Sequence, residues 1–148
     1  MNYNNYHMAR FISRLFIIVT GLACMTGCKG GEKSVEMGPV ETVEAFCKSI
    51  SIGQWDKAKA LCDTVSMKEY IESYKDLWDG LEQESEGAMK VTKSIMEKAT
   101  VTVSDVHKAD NKRIVTYTLE ADGLSKTNKA TLEKVEGAWR VSRITEEN

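Results

Sequence analysis

At Ala99 the apolar residues change their spacing. Between Pro39 and that point they recur every three or four positions, which lays side chains along one stripe of a helix; beyond it they alternate with polar residues, as in strands with one buried face. A pattern that switches once, in this direction, confines the chain to helices followed by sequentially paired strands, the build of an α+β domain.

The helical half divides at its turn residues. Pro39 suits a first helical turn, Glu41 and Glu44 favour its positive end, and Val40, Val43, Phe46, Cys47 and Ile50 form the apolar stripe. Gly53 ends that helix. "QWDKAKALCD" repeats the pattern with Trp55, Ala58, Leu61 and Cys62, giving a helical hairpin. Ser66 and Glu69 have capping-box spacing, and Tyr70, Ile71, Tyr74, Leu77, Trp78 and Leu81 predict a longer third helix to about Glu84. A weaker helix with Met89, Ile95 and Met96 follows a break near Gly87.

The strand half reads "ATVTVSDVH", "RIVTYTLEA", "TNKATLEKV" and "AWRVSRI", separated by "KADNK", "DGLSK" and "EG". Four antiparallel strands are expected. Pairing Val135 with Ala138 across Glu136-Gly137 sets Leu132 opposite Val141, on the face that carries Trp139. Val101, Val103, Val115, Tyr117, Leu119 and Ala130 share that face, while Thr116, Thr118, Glu120, Thr131, Glu133 and Arg140 point away. Tyr117, Leu132, Trp139 and Val141 are therefore expected to pack against Tyr70, Tyr74 and Trp78.

Ahead of the domain, "LFIIVTGLACMTGCKGG" is an apolar run that stops at Cys28. Only 13 residues separate Arg14 from Cys28, too few for the roughly 20 that cross a bilayer. Basic residues Arg10 and Arg14, an apolar stretch and small residues Thr26 and Gly27 have the layout of an export signal. Met25-Thr26-Gly27-Cys28 resembles the lipobox of bacterial lipoproteins, which implies cleavage before Cys28 and a lipid on its thiol. Cleavage after Ala23, with Gly21 and Ala23 as the small pair, is the alternative. The resulting expectation is a signal peptide at 1–27, a lipidated cysteine and flexible tether at 28–38, and one domain at 39–148.

Removing 1–27 takes away two basic residues and no acid, leaving 18 Lys and Arg against 22 Asp and Glu, a formal charge of −4. With no basic block, this balance argues against nucleic acid as a partner. "GCKGGEKS" falls short of a phosphate-binding loop, because Glu32 stands where the glycine before the lysine is required and no strand precedes it. Of four cysteines, Cys47 and Cys62 remain after processing. A bridge between them would close a 15-residue loop, worth about 3 kcal/mol in the chain-entropy model; two buried thiols are the alternative.

Phe46, Gly53, Trp55, Ala58 and Leu61 in "VEAFCKSISIGQWDKAKALC", with Val135, Gly137, Trp139 and Val141 in "LEKVEGAWRVSRI", carry a resemblance across about residues 38–146. The chain resembles exported proteins with a nuclear-transport-factor-2-like or cystatin-like domain, in particular the domain-of-unknown-function 4878 family. That resemblance implies a curved sheet wrapped around helices as a cone, whose interior is either filled or a small-molecule site.

Enzymatic relatives place an acid or histidine inside the cone. Here Asp105 and His107 continue the inward parity of Val101 and Val103 and are the candidates for a pocket mouth, with Tyr117 and Trp139 as its wall or as core; a solvated strand end is the competing description. No cofactor, zinc cluster or free nucleophile is expected. The leading expectation is a membrane-anchored, non-catalytic domain facing the periplasm that binds an unidentified partner. The alternative is a small-molecule-binding protein, or an isomerase- or dehydratase-like enzyme, using the cone pocket.

Overall fold

The structure is a computed structural model that describes residues 36–147. The stretches expected to be a signal peptide, the lipidated Cys28 and most of a tether lie outside the described residues. Four helices precede four strands: α1 Pro39–Ser51, α2 Trp55–Ala60, α3 Lys68–Glu84, α4 Glu86–Glu97, β1 Thr100–Ala109, β2 Lys112–Ala121, β3 Leu124–Val135 and β4 Ala138–Glu146. The antiparallel sheet has the order β1-β2-β3-β4, as expected of a meander.

The first helix starts where proline needs no amide partner, at Pro39, and Thr42 Oγ1 donates back to the Gly38 carbonyl at 2.8 Å. It ends in a left-handed Gly53, φ +74°, where Gln54 N donates to the Ser49 carbonyl at 2.8 Å. Its stripe of Val43, Phe46, Cys47 and Ile50 has no solvent exposure.

The capping box expected at Ser66 does not form. Ser66 Oγ donates to Asp63 Oδ2 at 2.6 Å and Val65 N donates to Asp63 Oδ1 at 3.0 Å, so an ionised carboxylate organises the turn and Met67 occupies the cap position of α3. These bonds hold the Asp63 carboxyl below its ordinary range. The next break falls at Ser85 rather than Gly87: Ser85 is extended and its hydroxyl accepts from Ala88 N at 3.0 Å, which starts α4.

In the sheet, Asp122-Gly123 and Glu136-Gly137 have positive φ at both positions, which suits two-residue turns between right-twisted strands. The Asp122-Gly123 turn lets β3 begin at Leu124, earlier than expected, and "LSK" is strand rather than loop. Val135 pairs with Ala138 and Leu132 with Val141, as the turn arithmetic requires. Val115, Tyr117, Leu119, Ala130, Leu132 and Val141 are completely buried.

Two residues interrupt the alternation. Ser104 and Ser142 are each the extra residue of a bulge, and their hydroxyls donate to the carbonyls of Thr116 at 3.3 Å and Thr131 at 3.2 Å on the neighbouring strand. On the outer side of β4, Val141 N donates to the Leu61 carbonyl at 3.0 Å and Asp63 N donates to the Val141 carbonyl at 2.9 Å. The chain leaving α2 thus covers part of that edge, while β1 forms the other edge of the sheet.

This register makes a direct comparison available. Leu132→Ala empties a buried site and is expected to lower unfolding free energy by about 2–5 kcal/mol in urea titration, whereas the adjacent outward Thr131→Ala should cost far less. A one-residue slip of β3 would reverse the two results.

Candidate functional site

The inner face of the sheet and the stripe of α3 enclose a set of polar groups. Tyr117 and Asn128 are cross-strand partners on that face, 0% and 4% exposed. From the helices come the Cys47 thiol, Tyr70, Tyr74 and Trp78, the last two also buried. Tyr70 donates its hydroxyl hydrogen bond to Tyr74 Oη at 3.3 Å, with ring centroids 4.9 Å apart, and Phe46 lies 6.3 Å from the Tyr70 ring.

Several of these groups lack partners. Trp78 Nε1, Tyr117 Oη and Asn128 Nδ2 are buried without a well-formed hydrogen bond, although Tyr117 Oη lies beside the Cys47 thiol. Each such group typically costs about 1–3 kcal/mol in desolvation. Asn128 escapes the hydrophobic pattern but not the parity: counting back two residues from the inward Ala130 finds it.

Burial also sets the protonation of the cluster. It pushes the Cys47 thiol from 9.0 up to about 12, against an opposing pull from the Tyr117 hydroxyl and with a further upward push from Glu44. Burial likewise raises Tyr70, Tyr74 and Tyr117 above their ordinary range. At neutral pH these side chains therefore present protonated hydroxyls and a thiol. They can donate hydrogen bonds but supply no ready base or thiolate.

The two candidates for the pocket mouth are elsewhere. Ser104 takes up one residue without pairing, so Asp105 falls opposite Thr116 and His107 opposite Ile114, on the outer face. Both are exposed, and the inward position after the bulge belongs to Val106, opposite Val115. The inward parity assigned to Asp105 and His107 is thereby corrected, and their exposure is that of a solvated stretch of strand. Cys47 and Cys62 are buried free thiols, so the structure contains no bridge between them. Cys62 Sγ donates to the Lys59 carbonyl at 3.8 Å, and burial pushes this thiol up to about 11. Among the described residues, no group of three or more His, Cys, Asp or Glu side chains is arranged to hold a metal ion.

Trp139 separates from Tyr117. It is only partly buried and lines an open cleft of about 470 Å³ with Glu36, Met37, Leu61, Ala138 and Arg140 among its walls. The Arg113 guanidinium lies 5.2 Å from the ring centroid and Lys134 Nζ 5.4 Å. Lys134 Nζ also bonds Glu36 Oε1 at 2.6 Å, tying the start of the described chain to the β3–β4 hairpin. A second cleft, about 450 Å³, runs between α2 and α3 with Trp55, Lys59, Lys68 and Lys75 in its walls. Neither lining includes Tyr117.

A pH titration checks the buried cluster. Because the folded state keeps the Cys47 proton to higher pH than the unfolded chain, its contribution is complete below about pH 9 and is lost as pH rises toward about 12. Unfolding free energy is expected to fall across that window, and Cys47→Ala should flatten the fall even though it lowers neutral stability. Tyr117→Phe removes an unpartnered hydroxyl, so its melting temperature should match or exceed that of the wild type. A clear loss would mean that the hydroxyl is satisfied.

No protein-family model, no curated protein and no solved structure matches this chain.

Proposed function

We propose that the chain is an exported lipoprotein whose domain binds a partner without catalysis, and that recognition takes place at the Trp139 cleft. The carrying observation is the contrast between two aromatic positions on one sheet face. Tyr117 is sealed in a packed interior, whereas Trp139 is partly open beside Arg113 and Lys134. A half-buried aromatic ring with flanking cations at the wall of an open cleft is a recognition surface more readily than a core element.

In this reading Cys28 carries the lipid and the domain works in the cell envelope, on the periplasmic side of a bacterial membrane. The Met25-Thr26-Gly27-Cys28 stretch supports the anchor. Helices followed by a meander, with bulges at Ser104 and Ser142 to increase twist and bend the strands, support a curved cone of the nuclear-transport-factor-2-like or cystatin-like kind. Among the described residues no helix is long and apolar enough to cross a membrane.

A second reading is favoured by Trp78 Nε1, Tyr117 Oη and Asn128 Nδ2, three buried groups that lack hydrogen bonds. A small molecule bearing carbonyl or carboxylate oxygens would satisfy such donors if admitted to the interior. Native mass spectrometry separates the two. A molecule that co-purifies with the wild type and is lost from Tyr117→Phe would move the binding site from the cleft to the interior.

Fractionation tests the anchor. Wild-type protein is expected in the membrane fraction with an N-terminus at acylated Cys28, and Cys28→Ala in the soluble fraction or retained as unprocessed precursor. Mature wild-type protein that is soluble, unlipidated and begins at Cys24 would establish the ordinary signal peptide instead.

A further inference from the structure

We infer that the partner met by the Trp139 cleft is the bilayer itself, with the β3–β4 hairpin tip lying on the headgroup region. This rests on the proposed anchor at Cys28 and gives the chemistry of what the cleft contacts.

Tether length comes first. Seven residues separate Cys28 from Glu36, so the eight steps between them reach about 28 Å at roughly 3.5 Å per residue if fully extended and about 16 Å if the chain is flexible. A domain near 100 residues has a radius of gyration of about 13 Å, so its width exceeds the average tether. At the average tether length the corner that bears Glu36 stays nearer the membrane than the opposite side. Glu36 is fastened to that corner by Lys134, on the hairpin itself.

The composition of this corner fits an interface. Met37, 37% exposed, lines the cleft beside Trp139 from the segment ahead of α1, and Val135, 46% exposed, is the last residue of β3 before the hairpin turn, on the outer face of the sheet. Trp at the level of the headgroups, with small apolar side chains beside it, is the pattern of an interfacial contact. Arg113 and Lys134 place positive charge over the ring and Arg140 adds a third cation in the cleft wall for anionic headgroups. Glu136 and the Glu36–Lys134 pair offset part of that charge, so the surface is expected to hold only when the anchor keeps it close.

The test uses full-length lipidated protein reconstituted into phosphatidylethanolamine–phosphatidylglycerol vesicles, with plain or brominated acyl chains. Tryptophan emission should be quenched by brominated lipid in the wild type, and this quenching should be lost in Trp139→Phe, leaving only the signal of Trp55 and Trp78. Intact mass of the same sample reports the lipid on Cys28. Lipidated protein whose emission is equal in both vesicle types overturns the inference while the anchor stands. Quenching that survives in Trp139→Phe overturns it as well, because another tryptophan then meets the lipid. Protein lacking the lipid removes the anchor and the inference with it.

Discussion

Val43, Phe46, Cys47 and Ile50 form a stripe on α1 from which water is entirely excluded, and the rest of the domain is arranged to cover it. An apolar stripe on one helix has to meet an apolar face, and here that face includes Val115, Tyr117, Leu119, Ala130, Leu132 and Val141 from three strands. Strand register is bound to this requirement, since a shift by one residue would turn the threonine and lysine positions inward. The α2 exit is drawn into the same arrangement through the two backbone bonds around Val141.

The cost of this arrangement is visible in its polar inclusions. A tyrosine-rich interior buries large surfaces, but each phenol brings a hydroxyl that must be satisfied or paid for. Tyr70 and Tyr74 satisfy each other, whereas Tyr117 has only the neighbouring thiol. The same burial keeps the thiol and phenols protonated through neutral pH, which leaves the interior rich in donors and without a base.

How much of this was legible in the sequence depends on whether a feature is periodic. The switch at Ala99, the stripe of α1, the meander and the pairing of Leu132 with Val141 all follow from spacing and turn chemistry, and they agree with the structure. A bulge leaves no such signal, and Ser104 moved Asp105 and His107 to the opposite face from the one that simple alternation assigned. Ser66 illustrates a different failure: its spacing to Glu69 was right for a cap, but Asp63 offered a charged acceptor nearer by. The difference between Tyr117 and Trp139 was also hidden, because parity assigns a face and says nothing of distance from its rim.

The two edges of the sheet have different prospects for self-association. β4 has part of its outer backbone occupied by Leu61–Asp63, and β1 remains as the edge on which another strand could be templated. The bulge at Ser104 breaks that ladder near its middle, and Asp105, His107 and Lys108 line the half beyond it. An incoming strand can therefore keep regular pairing over only a few residues before its own register fails. Such an interruption limits fibril-like growth wherever copies of the chain are crowded together, because each added strand inherits the same break.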